Sequence, residues 1–294
     1  MKPNFFLVGA PRSGTTAMYN YLDAHPQVKM SSYKEPHYFG RDLVGLQFQV
    51  FRGKEDEYLK LFDTQTNADY VGEASVFYLF SKQAPKEIYN FNTNARILIM
   101  LRSPLEVLNS MFHHVKLTGD INYDSYTDLL ADADKIRQNA DSNSRLHFLL
   151  GEGVCYSEQV ARYFDVFGRE QVHVILYDQF RNQTAEEYRR VLTFLDIDPS
   201  FQPDEFAVIN PARQVRNPLL HSITKSQRLV KLGSKMPFIA LPIYRFIKSL
   251  NTVPLERDDL LDEVVNQLMS SIAPDVLRLS QLLGQDLNHW IDRG

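Results

Sequence analysis

Residues 9–16, Gly9-Ala10-Pro11-Arg12-Ser13-Gly14-Thr15-Thr16, pack two glycines, one guanidinium and three hydroxyls into eight positions. They follow the apolar run "FFLVG" (5–9) and open the helical pattern 14–24. A strand-to-helix turn of this composition suits an anion, because backbone N–H groups and the helix dipole at its start both favour negative charge. An ATP- or GTP-binding loop, G-x-x-x-x-G-K-[ST], would put lysine directly after Gly14. Thr15 stands there instead, and Arg12 is the sole cation of the loop. A nucleoside-triphosphate enzyme would also want an aspartate after a second strand to hold magnesium. The candidate strand "ARILIML" (95–101) leads into Arg102 instead. Both departures favour a bare anion over a metal-bound triphosphate.

Further chemistry-bearing residues follow. Pro104 suits the first turn of a helix, and Ser110 lies eight residues after Arg102. Converging on one phosphate, the pair would form a second anion site, although their spacing does not by itself bring them together. Glu35 lies 23 residues after Arg12, just beyond the short strand "QVKM" (27–30). Burial in a sheet-end crevice would raise its pKa toward the range of a working base. Glu73, after the strand "YVGE" (70–73), is the rival carboxylate. His113 and His114 on the helix 104–117 are the rival bases, His114 sharing a face with Ser110. Lys34 and His37 flank Glu35 and are candidate substrate contacts with Glu73 and His113. No His/Cys cluster has metal spacing, and no Ser-His-Asp arrangement is readable.

The elements that must position these residues alternate. Short apolar runs at 5–9, 70–73, 95–101 and 172–177 read as buried strands. Helix patterns at 14–24, 83–91, 104–117, 155–168 and 184–196 lie between them. This predicts an α/β, P-loop-like three-layer fold with a central, mostly parallel sheet flanked by helices. Ligands in such sheets bind beyond the C-terminal strand ends, where the motifs carrying these residues fall. One domain over 1–294 is expected. Between Phe206 and Leu255 there is no acidic residue, against eight Lys and Arg. The segment 206–254 reads as a basic helical lid or substrate segment, or as a solvated basic face. Its part 221–250 also suits peripheral contact with an anionic membrane. Residues 255–294 read as C-terminal helices, with 256–283 as two amphipathic helices interrupted at Pro274.

The formal net charge is −4, which disfavours binding to bulk nucleic acid. The single cysteine, Cys155, excludes an internal disulfide framework and suits a reducing compartment. No signal-peptide pattern precedes Asn4 and no apolar run reaches membrane-spanning length, so a cytoplasmic address is expected. The sequence leaves the oligomeric state open.

The loop "GAPRSGTT", with "SYKEPHYFGRD" (32–42), "YVGEASVFYLF" (70–80) and "LRSPLEVLNSMFHH" (101–114) in that order, resembles the sulfotransferase family. The likeness is to the bacterial enzymes and those that modify heparan sulfate. It runs from residue 4 to about 197 and extends weakly to "APDVLRLSQLLGQDLNHW". The resemblance implies a 3′-phosphoadenosine 5′-phosphosulfate (PAPS) donor, with 3′-phosphoadenosine 5′-phosphate (PAP) as product and no metal requirement. It also implies an in-line transfer to a hydroxyl or amine of a small-molecule, lipid or glycan acceptor. Arg12, Ser13, Gly14, Thr15 and Thr16 become the 5′-phosphosulfate loop, and Arg102 with Ser110 the 3′-phosphate pair. Glu35 in "KEPHYF" becomes the catalytic base, with His114 as alternative. Arg213 and Arg216 of "INPARQVRNP" resemble the late loop that closes on the donor. Two departures stand out: the heparan-type enzymes carry lysine at the position of Arg12 and after the glutamate of the third motif, where this chain has Ala74. Arginine stays charged and is a poor proton donor, and Lys34 is the candidate replacement for the second lysine. Two other readings remain at this level: a P-loop small-molecule phosphotransferase, and a nucleotide-binding module without catalysis.

Overall fold

The structure is a computed structural model that describes residues 2–43, 51–62, 68–139, 144–204, 206 and 260–292, together with the backbone of 213–215 and 252–254. Five parallel strands form its sheet: β1 (Phe5–Gly9), β2 (Val28–Met30), β3 (Tyr70–Ala74), β4 (Arg96–Leu101) and β5 (Val172–Leu176), in the order β2-β3-β1-β4-β5. The principal helices are α1 (Thr15–Asp23), α2 (Ala84–Phe91), α3 (Pro104–Thr118), α4 (Tyr156–Phe167), α5 (Thr184–Phe194) and α6 (Asp262–Leu283).

Strand residues alternate between two buried layers, as a pleat with both faces covered requires. Phe6, Val8, Ile97, Ile99 and Leu101 join one core with Ile88, Val107, Leu108, Val160, Tyr163, Ile272 and Val276. Phe5, Leu7, Leu98, Met100 and Ile175 join the other with Met18, Leu22, Tyr188, Val191 and Leu192. Helices α2, α3, α4 and α6 therefore cover one face, and α1 and α5 the other. This is the three-layer arrangement expected from the alternating runs. From β3 the chain crosses β1 to reach β4, so the strand order turns at β1, and the loop after β1 sits at that switch point.

Two expectations are corrected. Residues 262–283 form one helix that runs through Pro274. A proline inside a helix costs about 3 kcal/mol or more. Burial of Val264, Leu268, Ile272, Val276 and Leu279 on one face offsets that cost. Asp275 adds a tie: its carboxylate accepts from the Ser157 N–H at 3.1 Å and from the Ser157 hydroxyl, holding α6 to the start of α4. The basic segment also differs at both ends, where Arg213–Val215 (β6) pairs antiparallel with Thr252–Pro254 (β7). Branched Val215, Thr252 and Val253 suit extended backbone, and a proline is tolerated at the edge or end of a strand. The helices expected within 206–254, the membrane-contact stretch 221–250 and Arg216 lie outside the described residues.

Candidate functional site

Positions 10–14 join β1 to α1. Gly9 has no room for a side chain: a Cβ would lie 2.8 Å from the Val76 carbonyl. Gly14 takes a left-handed φ of 85° at the N-terminus of α1, which no side chain caps. A left-handed residue there suits glycine alone without strain. Ser13 and Thr15 are buried and Thr16 half-buried beside it. The uncapped helix start with adjacent hydroxyls fits the anion cradle read from sequence.

Arg12 is a non-glycine residue at φ 64°, a conformation that costs free energy and needs support from its surroundings. Two elements supply it. The guanidinium donates from Nε to Ser110 Oγ of α3 at 2.7 Å, and the Arg12 carbonyl accepts from Arg102 Nη1 at 3.2 Å. Arg102 and Ser110 thus meet through Arg12. Arg102 also pairs with Glu106 in the first turn of α3, and its guanidinium lies 4.5 Å from the centroid of the Tyr177 ring. The same ring bounds Gly14, 3.2 Å from where a Cβ would stand. Sequence reasoning missed Tyr177; its signal was its place immediately after β5, on the same C-terminal edge of the sheet as the other motifs.

Glu35 and His37 follow β2 and also adopt left-handed φ, 62° and 50°. Their segment is fastened to the end of β3 and the residues that follow it. Glu35 N–H donates to the Ala74 carbonyl at 3.0 Å, His37 N–H to Ser75 Oγ at 3.1 Å, and Phe39 N–H to Tyr78 Oη at 3.1 Å. The Glu35 carboxylate is half-buried, 2.5 Å from Lys34 Nζ and 3.4 Å from His37 Nε2. Burial pulls its pKa upward, but the His37 hydrogen bond and the Lys34 charge outweigh burial and hold it at about 2. The upward shift expected from the sequence is therefore reversed, because a His37 hydrogen bond and the Lys34 charge act on the same carboxylate.

Glu73 is removed from the candidate substrate contacts. It is fully buried, and its carboxylate accepts from Tyr58 Oη at 2.6 Å, Ser75 Oγ at 2.6 Å and Tyr78 Oη at 3.2 Å. Burial raises its pKa to about 7, the three hydroxyl donors only partly countering that rise. The sequence placed Glu73 correctly at a strand end but gave no sign that its side chain turns inward.

His114 stands at the surface of α3, close enough to the loop to feel its charges. Lost hydration first, then the positive Arg12 and Arg145, hold its imidazole below the usual histidine value; Asp120 and Glu35 act in the opposite sense. Arg145, paired with Asp120, is a second neighbour the sequence did not flag. His113 is half-buried beside the Phe112 ring. Lys34, the suggested substitute for the lysine missing at Ala74, is committed to Glu35. Arg213 falls in β6. The resulting arrangement has an anion cradle with Arg12 on one side of β1 and an ionised carboxylate on the other. It can hold an anionic donor and accept a proton from an attacking group.

Comparison with known proteins agrees with the fold. A family model described as a sulfotransferase domain matches residues 2–228. The crystal structure of a sulfotransferase from Alicyclobacillus acidocaldarius is 28% identical, superimposes with a TM-score of 0.73, and is covered over 99% of this chain and 100% of its own. Human carbohydrate sulfotransferase 15 is 24% identical over 270 residues, covering 74% of this chain and 48% of its own length. The bovine bifunctional heparan sulfate N-deacetylase/N-sulfotransferase 2 is 27% identical over 207 residues, 67% of this chain and 22% of its own length. The chain thus spans about half or less of the length of these curated relatives.

Proposed function

The chain belongs to the sulfotransferase family, and from this premise we propose that it moves the sulfuryl group of PAPS to a hydroxyl or amine of a small-molecule, lipid or glycan acceptor. The observation that carries the reading is the convergence of three elements on Arg12. The loop after β1 supplies the residue, α3 supplies Ser110 at 2.7 Å, and the end of β4 supplies Arg102 at 3.2 Å. The donor brings an activated sulfuryl group on a 5′-phosphate and a 3′-phosphate, two anionic ends that match this pair of cations.

On this reading the N–H groups and hydroxyls of 13–16 hold the 5′ end, and Arg12 stabilises charge on the leaving phosphate. Fixed donors aimed at developing charge are worth roughly 10²–10³ in rate each. Arg102 and Ser110 hold the 3′-phosphate end, with Tyr177 supporting Arg102. Glu35, ionised at neutral pH, takes the proton of the attacking acceptor as its oxygen or nitrogen bonds to sulfur. Its low pKa makes it a modest base while Lys34 touches it, and drawing Lys34 away raises its basicity. His114, near both Arg12 and Glu35, lines the acceptor side. The lone cysteine among 294 residues supports a reducing, cytoplasmic setting for the reaction.

Calorimetric titration with PAP, and with ATP plus Mg²⁺, tests the proposal, followed by labelled PAPS against a panel of phenols, amines, lipids and desulfated glycans. Tight PAP binding with label transfer is the expected result. Binding of ATP–Mg²⁺ without PAP would overturn it.

A further inference from the structure

Glu73 lies beneath the Glu35 loop, and the hydroxyls around it have a fixed sense. A serine or tyrosine hydroxyl has one proton to give and lone pairs to receive with. Ser75 and Tyr78 each direct that proton to the Glu73 carboxylate, at 2.6 and 3.2 Å. Their lone pairs are then turned away from Glu73. Those lone pairs receive the backbone N–H of His37 at 3.1 Å and of Phe39 at 3.1 Å. A third donor, Tyr58 at 2.6 Å, completes the carboxylate, and its ring stacks on Tyr38 at a centroid separation of 4.2 Å. Glu73 is thus linked through one intervening group to His37, Tyr38 and Phe39. Glu73, Ser75, Tyr58 and Tyr78 are all buried, so their polarity is shielded from water, where oriented hydrogen bonds are strongest.

We propose that Glu73 is a positioning residue for the base: through the Ser75 and Tyr78 hydroxyls it fixes the backbone of 35–39, and so sets where the Glu35 carboxylate stands. The proposal rests on the assignment of Glu35 as base. The left-handed φ of Glu35 and His37 explains why such a device is useful. A backbone held in a costly conformation relaxes unless its N–H groups are anchored. A glutamine at 73 accepts through one oxygen only, so one of the three hydroxyl protons would be left without an acceptor and the relay would lose its single sense.

The test uses the full chain and four forms: wild type, Ser75→Ala, Glu35→Gln and the double variant, with Glu73→Gln as a second probe of the relay. Amide hydrogen exchange of the segment 35–40 reads the loop, with 96–101 of β4 as internal control. Release of PAP from PAPS with water as acceptor reads turnover without knowledge of the natural acceptor. Exchange at 35–40 is expected to rise at least about 10-fold in Ser75→Ala and Glu73→Gln, with β4 unchanged. PAP release is expected to fall about 10-fold, because small misplacements of a reacting group are costly. In the Glu35→Gln background Ser75→Ala should add nothing further. Unchanged exchange at 35–40, or full multiplication of the two effects in the double variant, overturns the positioning role. Failure of the underlying reading has other signatures. Wild type without PAP affinity removes the sulfotransferase assignment, and undiminished PAP release in Glu35→Gln removes the base.

Discussion

Ser110 Oγ accepts a hydrogen bond from Arg12 Nε at 2.7 Å, across 98 positions of sequence. The contact joins α3 to the turn after β1 and fixes the guanidinium of a residue whose own backbone is strained. Ser110→Ala removes that anchor and, on the proposed reading, a hydroxyl on the phosphate side. A hydrogen bond to a charged group contributes about 1.5–3 kcal/mol, so PAP affinity should fall roughly 10- to 100-fold by calorimetry. Unaltered affinity would place Ser110 outside the donor site.

Glu35→Gln keeps the shape of the side chain and removes its capacity to take a proton. General-base removal costs typically about 10²–10⁴-fold. PAPS turnover should fall by that factor while PAP affinity stays within about 3-fold. His114→Ala should reduce turnover less than 10-fold; the reverse ranking would transfer the base role to the histidine.

Lys34→Ala changes the pH–rate profile in a defined direction. The Lys34 charge is one of the influences holding the Glu35 carboxyl at about 2, so its loss raises that value. If Glu35 is the base, it works only when ionised, and the acid limb of turnover should therefore move to higher pH than in wild type. An acid limb that stays in place would show that another group governs it.

The two carboxylates give opposite pH dependences of stability. Glu73 has its folded pKa raised from 4.5 to about 7, so the folded state holds the extra proton. Its contribution to stability falls as pH rises from about 4.5 to about 7, by on the order of 3 kcal/mol. Glu35 has its folded pKa lowered from 4.5 to about 2. Its contribution is present above about 4.5 and lost as pH falls toward 2, in an amount reduced by solvent screening because the side chain is 35% exposed. Urea unfolding at a series of pH values should show the stability gap between wild type and Glu73→Gln changing above pH 4.5. The gap to Glu35→Gln should change only below it.

Gly14→Ala tests the cradle itself. A Cβ there meets Phe180 and Tyr177 ring atoms at 3.2 Å, on a backbone with φ 85°. Loss of PAP affinity with a lower melting temperature is expected, whereas a wild-type affinity would mean that the loop tolerates displacement.

Much of this was legible before any coordinates. Apolar runs with both faces buried marked four of the five strands to within a residue or two, and the short "QVKM" marked the fifth. Glycine, arginine and hydroxyl spacing located the strand-to-helix turn proposed as the anion loop, because backbone chemistry near a helix start depends on local sequence. What stayed hidden depends on side-chain direction over long separations. Neither the Arg12–Ser110 contact nor the inward turn of Glu73 leaves a periodic trace. The pKa of Glu35 was misjudged because burial was weighed without the lysine charge and the histidine hydrogen bond beside it. The uninterrupted α6 was misread because proline was weighed without the apolar face that carries the helix past it.

The sheet order has a consequence for how this molecule could be diversified. The candidate donor groups stand at the ends of β1, β4 and β5 and on α3, whereas Glu35 and the relay beneath it stand at the ends of β2 and β3. On the proposed reading, donor recognition and acceptor activation are separate modules meeting along one seam. Exchange of the segment after β2 between relatives would then retarget the sulfated product while leaving nucleotide recognition in place.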